Sequence, residues 1–321
     1  MKKLLLFTCC ICITIKSFCW GFYGHQKINY FAVFLLPPEM MVLFKPNIQF
    51  LTDHAVDPDM RRYAVAAEAP KHYIDIDFYG KYPYPELPRK YDSAVKKFTE
   101  DSVVANGIVP WWIQTMHYRL VNAFKEKNQA KILKLSAEIG HYIADSHVPL
   151  HASSNHDGQN SNQKGIHGFW ESRVPELLAE KEFDFMVGKA AFITNIGEYT
   201  WARVLESGAA SDSVLRFEAE LTKKMPAERK YAFEERKGKL VRQYSSEFTI
   251  AYNKMLGGMV ERRMRLAIAS VANFWYTAWV SAGQPDLKTL KNTAFSPEDI
   301  KEFETLNDVW KTSASKGRAH E

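Results

Sequence analysis

Apolar residues recur at the 3.6-residue period of an α-helix along most of the 321-residue chain, and Pro and Gly residues separate the periodic stretches. No stretch sustains the apolar and polar alternation that is typical of a half-buried β-strand. The pattern therefore predicts an all-α protein with a single compact multi-helix domain. The predicted helices cover residues 26–36, 48–55, 93–105, 110–125, 130–147, 168–179, 185–205, 212–223 and 239–281.

The longest predicted helix, 239–281, contains Gly257 and Gly258 near its middle. Adjacent glycines lower helix stability, so we expect this helix to bend or divide there. Its charged residues exclude a membrane span. Loops are predicted at 80–92, which is rich in proline, and at 152–165, which is rich in Gly, Asn and Ser.

The first 19 residues have the pattern of a secretory signal peptide, with two lysines, an apolar run and small residues before Trp20. The run is shorter than the ~20 apolar residues of a spanning helix and is interrupted by Lys16, so we expect cleavage after Cys19 rather than a membrane anchor. The mature protein would then be secreted or periplasmic. Residues 20–310 are predicted to form the domain, and the polar residues 311–321 a disordered tail.

All four cysteines of the sequence lie in this leader, so the mature chain would depend on packing and metal rather than on disulfides. Lipid attachment at Cys19 is disfavoured because Phe18, not a small residue, precedes it. Loss of three leader lysines lowers the formal net charge from +5 to +2. This nearly neutral net charge argues against a protein that binds along nucleic acid through an excess of basic residues. No feature indicates a protein partner.

The strongest local signal of chemistry is the pattern His141-x3-Asp145-x5-His151. Residues four apart on a helix lie on one face, so His141 and Asp145 can contact one ion. A second pair with the same spacing, His167 and Glu171, follows. A histidine taken singly is more often an ordinary core or surface residue, but this grouping of imidazole and carboxylate suits zinc.

Two more spacings precede these pairs: His25 follows Trp20 by five residues, and His72 follows Asp57 by fifteen. In this order, the elements resemble the superfamily that unites bacterial zinc-dependent phospholipase C with the single-strand-specific zinc nucleases of fungi and plants. The resemblance covers roughly residues 20–175. It implies a hydrolase of phosphate esters with three zinc ions.

The resemblance also implies a ligand set, carried over position by position. The first zinc would be held by Asp57, His72, His141 and Asp145, the second by the amine and carbonyl of Trp20 with His25 and Asp145, and the third by His151, His167 and Glu171. An α-amine has a pKa near ~7.7–8.0, so it loses its proton to zinc at little cost once the leader is cleaved. The pair bridged by Asp145, with Asp57 as the other catalytic carboxylate, would supply hydroxide at neutral pH.

The sequence does not determine which of three neighbouring aspartates is the carboxylate ligand of the first zinc. Asp57 has the family-like spacing to His72, but Asp53 and Asp59 lie close by and each is an alternative. Asp53 and Asp59 are otherwise expected to be surface or helix-capping residues.

The candidates for substrate binding are Arg61, Tyr73 and Asn155. Arg61 either forms an orienting pair with Asp75 beside the ligands or a plain surface ion pair. Asn155 lies in the loop between the last two ligand pairs, where the nucleases commonly carry a longer insert rich in Gly and Asn.

The expected substrate is a phosphodiester, either a phospholipid or a single-stranded nucleic acid. The two upstream spacings are nuclease-like, whereas Glu171 and the short gap from His151 to His167 are closer to the phospholipases. The mature chain also lacks the cysteines that would form the disulfides of the nucleases. The sequence therefore favours a phospholipase C-like enzyme, with a single-strand-specific endonuclease and 3′-nucleotidase as the alternative. A non-catalytic zinc cluster that stabilises a secreted helical protein is the second alternative, although the third ligand group leaves a coordination position open.

Overall fold

Helices form nearly all of the regular structure in the computed structural model, which describes residues 21–236, 239–290 and 294–316. The all-α prediction is confirmed. The helices and strands are α1 (Gly21–Val33), α2 (Pro38–Phe44), α3 (Ile48–Asp53), α4 (Asp57–Arg61), α5 (Tyr91–Phe98), α6 (Glu100–Ala105), α7 (Val109–Lys125), α8 (Gln129–Asp145), α9 (Ile166–Gly168), α10 (Val174–Glu182), α11 (Ile196–Lys224), α12 (Ala227–Lys230), β1 (Tyr231–Arg236), β2 (Lys239–Tyr244), α13 (Ser246–Met255), α14 (Met259–Ser281) and α15 (Pro297–Thr312). Short 3₁₀ turns lie at His54–Val56, Ala66–His72, Ile76–Tyr79, Pro149–Ala152 and Leu287–Thr289, and a π-helical turn at Phe169–Arg173 joins α9 to α10. The predicted leader and Trp20 lie outside the described residues.

An antiparallel hairpin of β1 and β2 interrupts the helices, so the predicted helix is wrong over residues 239–245. Helix α13 begins after Ser245, whose hydroxyl accepts a hydrogen bond from the amide of Phe248 at 3.1 Å. The ring of Tyr244 stacks on Phe169 with 3.7 Å between centroids. This aromatic contact between distant residues stabilises the hairpin where the local pattern indicates a helix.

The predicted helices 185–205 and 212–223 are joined in one continuous helix, α11, which begins only at Ile196, and residues 185–195 have no regular secondary structure. Asn195 begins α11, because its side chain accepts a hydrogen bond from the amide of Glu198 at 3.1 Å. Helix α11 continues through Gly208, where an added Cβ would meet a neighbouring side chain at 3.0 Å. The glycine therefore permits close packing and does not end the helix.

The apolar core is built around α8, whose residues 136–145 are all buried. Helix α1 approaches α8 closely at Gly140, where an added Cβ would lie 2.0 Å from the side-chain oxygen of Asn29. The amide of Asn29 donates to main-chain carbonyls of α3 and α8, at 3.0 Å each. This contact aligns His25, one turn before Asn29, with His141, the residue after Gly140.

The last helix, α15, packs against α4 and α1. Arg61 Nε donates to Glu302 Oε1 at 2.9 Å, and the rings of Phe22 and Trp310 lie 5.0 Å apart. Beyond the helix, the Lys316 amide donates to a main-chain carbonyl at the end of α4 at 2.8 Å. The C-terminal segment thus braces α4, which carries one of the candidate ligands.

Candidate metal centre

Helix α8 presents His141 and Asp145 on one face. His141 Nε2 and Asp145 Oδ2 lie 3.3 Å apart, and both side chains are fully buried. His25, Asp59 and His72 approach this pair from α1, α4 and the 3₁₀ turn Ala66–His72, respectively.

Asp59 and His72 complete a first group around this pair. His72 Nδ1 lies 3.0 Å from Asp145 Oδ2, 3.0 Å from His141 Nε2 and 3.7 Å from Asp59 Oδ1. His141 Nε2 lies 3.6 Å from Asp59 Oδ1. Ligands at ~2.0–2.2 Å from a tetrahedral zinc are separated by roughly 3.3–3.6 Å, so these atoms are spaced much as one shared ion requires.

The structure places Asp59 in this group, whereas the sequence-based assignment gives that place to Asp57. Asp57 Oδ2 instead lies 2.8 Å from Nδ1 of His54. Two residues in a helix are turned by about 200° from one another, so Asp57 and Asp59 cannot both face α8. The carboxylate that lies near His72 in the structure therefore precedes it by thirteen residues, whereas the predicted ligand Asp57 precedes it by fifteen.

His25 reaches Asp145 from α1 and forms a second group. Its Nε2 lies 3.5 Å from Asp145 Oδ1, and its ring stacks on His141 with 3.8 Å between centroids. Asp145 thus directs one oxygen to His25 and the other to His72 and His141, as a bridging carboxylate requires. Trp20, the other ligand predicted for this group, lies outside the described residues.

His151, His167 and Glu171 form a third group. His167 Nε2 lies 3.1 Å from Glu171 Oε2 and 3.2 Å from His151 Nε2, and His151 Nε2 lies 3.4 Å from Glu171 Oε2. Asp157 Oδ1 holds the start of α9 by accepting hydrogen bonds from the amides of Gly165 and His167, at 2.9 and 3.3 Å. The π-helical turn that follows carries Glu171.

Main-chain carbonyls orient three of the histidine rings. The Nδ1 atoms of His141, His151 and His167 lie 2.9, 2.6 and 3.0 Å from the carbonyl oxygens of Ala55, His72 and His156, respectively. An imidazole that donates its Nδ1–H keeps its lone pair on Nε2. In each case, Nε2 is the atom that faces the group.

Several buried polar atoms of the groups have no hydrogen-bond partner within the described part of the chain. They include both ring nitrogens of His25, both carboxylate oxygens of Asp59, Oδ1 of Asp145 and both carboxylate oxygens of Glu171. Buried polar atoms without partners are costly, and a cation would satisfy them. The ligand atoms of each triad lie within 4.8 Å of one another, and their nitrogen and oxygen chemistry matches zinc. The donor set therefore fits zinc ions.

The ligands shift one another's pKa values before any metal binds. Burial and the neighbouring His141 lower the pKa of His25 to about 3. Burial also lowers the pKa of His141, but Asp145 and Asp59 outweigh it and raise that pKa to about 9. Burial raises the pKa of Glu171 to about 7. His25 is therefore neutral and ready to bind a metal, whereas His141 must first release a proton.

A family model described as S1/P1 nuclease matches residues 20–267, a span that includes all three ligand groups and Trp20. The chain belongs to the S1/P1 nuclease family. It is therefore a zinc-dependent phosphoric ester hydrolase. The comparison with curated proteins gives no match.

Membership of the S1/P1 nuclease family confirms the superfamily that the ligand spacings indicate. The resemblance based on ligand spacings ends near residue 175. The family match continues beyond it, through the hairpin and into α14. It favours the nuclease alternative over the phospholipase C-like activity that the sequence-based argument prefers.

Arg61 of this family member pairs with glutamates and not with Asp75. Its guanidinium contacts Glu68 at 3.5 Å, Glu138 at 2.5 Å and Glu302 at 2.9 Å. The side chain is thus held between α4, α8 and α15, which favours a structural role over substrate orientation.

The other two predicted substrate-binding residues also have partners within the protein. Tyr73 is buried, and its hydroxyl donates to the carbonyl of Ala105 at 3.1 Å. The amide of Asn155 donates to Ser161 Oγ at 3.0 Å within its own loop. Both contacts stabilise local structure, and a substrate contact at either position stays a prediction.

Asp59→Asn and Asp57→Asn are expected to behave differently, although the two residues are neighbours in α4. Asp59→Asn should lower bound zinc by about one ion per chain, because it removes a charged ligand, whereas Asp57→Asn should keep the wild-type content. Metal analysis of the two purified variants measures this. Equal zinc content in the pair would contradict the place of Asp59 in the first group.

Proposed function

We propose that this chain is a single-strand-specific endonuclease and 3′-nucleotidase that works with three zinc ions. The match to the S1/P1 nuclease family over residues 20–267 carries the proposal. The three buried groups support it, because all of their ligands lie inside the matched span.

The proposal assigns three ligand sets, which the geometry and the family pattern support. The first zinc is held by Asp59, His72, His141 and Asp145, the second by Trp20, His25 and Asp145, and the third by His151, His167 and Glu171. Only three protein ligands serve the third ion, which leaves a position open for a substrate oxygen, as in catalytic rather than structural sites.

Zinc bound in these sets would lower the pKa of a water molecule and neutralise charge on the phosphate oxygens. The chain's own residues position and shield this chemistry. Asp145 couples two sets through its two oxygens, and its full burial keeps bulk water from competing. All cysteines of the sequence precede Trp20, so no thiol nucleophile is available to the mature chain.

The ligand role of Trp20 is part of the proposal, and the residues beside it support that role. The amide of Gly21 donates to Ser172 Oγ at 2.9 Å, and Ser172 follows Glu171 directly. His25 lies one turn further along α1 and faces Asp145. The start of α1 is thus held between the second and third groups.

A free amine at Trp20 requires removal of the leader, so the proposal includes cleavage after Cys19 and a secreted or periplasmic enzyme. None of the described helices has the length and apolarity needed to cross a membrane.

A phospholipid substrate is the second candidate, and the hairpin is the observation that favours it. Phe233 and Leu240 are 67% and 72% exposed, and the register places them on the same face of the hairpin. The base of this hairpin packs on Phe169, two residues before Glu171. Exposed apolar side chains on a hairpin whose base packs near the third group suit contact with a lipid surface.

A substrate panel on one zinc-loaded preparation separates the candidates. Single-stranded DNA, double-stranded DNA, a 3′-nucleotide and phosphatidylcholine vesicles are compared, each with and without chelator. We expect single-stranded DNA and the 3′-nucleotide to be hydrolysed and chelator to stop both reactions. Cleavage of phosphatidylcholine alone would overturn the nuclease in favour of the phospholipase. No turnover of any substrate by a fully loaded protein would support a structural cluster.

Glu171→Asp is expected to retain more zinc and activity than Glu171→Ala. The nuclease branch generally has Asp at this position, and a shorter carboxylate still supplies an oxygen to the third ion. Alanine should cost roughly 10²-fold or more in hydrolysis, since it removes a metal ligand outright. Zinc content and single-stranded DNA cleavage of the two variants are compared. Full activity of the alanine variant would exclude Glu171 from the site.

A further inference from the structure

A buried glutamate, Glu68, lies behind the metal ligand His72. Both belong to the 3₁₀ turn Ala66–His72, and the Glu68 side chain is fully buried. Glu68 Oε1 lies 3.7 Å from His72 Nε2, whereas Nδ1 of the same ring lies 3.0 Å from Asp145 Oδ2. A carboxylate in this place favours a hydrogen on Nε2 and leaves the lone pair on Nδ1.

His72 is oriented differently from the three histidines whose rings are held by carbonyls. His141, His151 and His167 direct Nε2 to the metal groups and donate Nδ1–H to neutral oxygens. His72 directs Nδ1 to Asp145 and Nε2 to Glu68. An anionic partner makes an imidazole ligand more basic than a neutral one does, which strengthens its bond to a metal.

We propose that Glu68 is a positioning residue of the metal centre, whose negative charge favours the tautomer of His72 with hydrogen on Nε2 and so directs the Nδ1 lone pair to the first zinc. The inference rests on the ligand set of the proposed function. Its effect extends to the third group, because the carbonyl of His72 accepts the Nδ1–H of His151 at 2.6 Å.

Three neighbours hold the Glu68 carboxylate in place. The hydroxyl of Tyr142 donates to Oε1, Lys71 Nζ donates to Oε2 at 2.8 Å, and Arg61 Nη1 lies 3.5 Å from Oε1. Tyr142 follows His141 in α8. One helix therefore supplies a ligand and also anchors the carboxylate behind another ligand.

Glu68→Gln and Glu138→Gln form a matched pair that tests the proposal. Both glutamates are buried and contact Arg61, but only Glu68 faces His72. Competition with a chromogenic chelator measures zinc affinity without reference to activity. We expect Glu68→Gln to weaken binding of one zinc ion by about 10–100-fold, the usual cost of losing an outer-shell partner, and Glu138→Gln to bind like the wild type. Equal affinities in the pair would overturn the proposal.

A third variant, His72→Ala, distinguishes failure of this inference from failure of the ligand set. If His72→Ala keeps all bound zinc, the ligand set is wrong. If it loses zinc while Glu68→Gln binds like the wild type, the ligand set stands and the positioning role is overturned. Should Glu68→Gln fail to fold by circular dichroism, Glu68→Asp replaces it, because the shorter side chain keeps the charge but withdraws the carboxylate from His72 Nε2. Unchanged zinc affinity of Glu68→Asp would then overturn the proposal.

Discussion

Asp145→Asn is expected to remove hydrolysis almost completely and to lower bound zinc by more than one ion per chain. The two oxygens of Asp145 face different ligands, with Oδ1 3.5 Å from His25 Nε2 and Oδ2 3.0 Å from His72 Nδ1. An amide replaces one of these oxygens by an NH₂ donor and removes the negative charge. Both ions would then lose their shared ligand. The loss of activity should therefore exceed the roughly 10–100-fold cost of an outer-shell substitution.

Glu138→Gln is the control for this variant, because it also neutralises a buried carboxylate of α8 but leaves the three groups intact. Zinc content and single-stranded DNA cleavage are measured for both proteins. A wild-type zinc content in Asp145→Asn would contradict the bridging role and much of the ligand set.

An extension before Trp20 is expected to impair the enzyme as strongly as loss of His25. In a chain that starts Gly-Ser-Trp20, the nitrogen of Trp20 belongs to a peptide bond, and its delocalised lone pair cannot coordinate zinc. The second ion should be lost, while about two zinc ions remain and the protein still folds. Hydrolysis should fall by ~10²-fold or more, because the paired metal site is lost.

Three proteins are compared for this prediction: processed wild type verified by N-terminal sequencing, the extended form, and His25→Ala. The two altered proteins should have the same zinc content and similar activity. Three bound ions and full activity in the extended form would exclude the amine of Trp20 as a ligand.

The local sequence pattern predicts a helix of this fold correctly where residues within or next to the helix determine its ends. The predicted break at Gly257 and Gly258 is confirmed, since α13 ends at Met255 and α14 begins at Met259. The prediction is wrong where contacts between residues distant in sequence determine the secondary structure. The hairpin depends on the packing of Tyr244 on Phe169, and the passage of α11 through Gly208 depends on a close neighbour. Neither contact is visible in a local window of sequence.

The candidate site likewise contains some contacts that the sequence predicts and others that only the structure reveals. Helical spacing alone brings His141 to Asp145, and the structure adds the approach of His25 through the contact between Asn29 and Gly140. The choice between neighbouring aspartates depends on which face of a five-residue helix meets α8, and the sequence leaves Asp59 as one alternative.

Glu68 has no signal in a sequence taken alone. Its spacing of four residues from His72 is common in any chain, and only the fold shows that its carboxylate lies behind that ring. Arg61 illustrates the converse, because an arginine beside ligands suggests substrate binding until its three glutamate partners are known.

An anomalous X-ray difference map at the zinc absorption edge, from crystals of the processed chain, tests the metal centre most directly. We expect three peaks, one among Asp59, His72, His141 and Asp145, one among His25, Asp145 and the amine of Trp20, and one among His151, His167 and Glu171. Peaks at other positions, or no peak within these groups in a zinc-loaded crystal, would contradict the trinuclear centre.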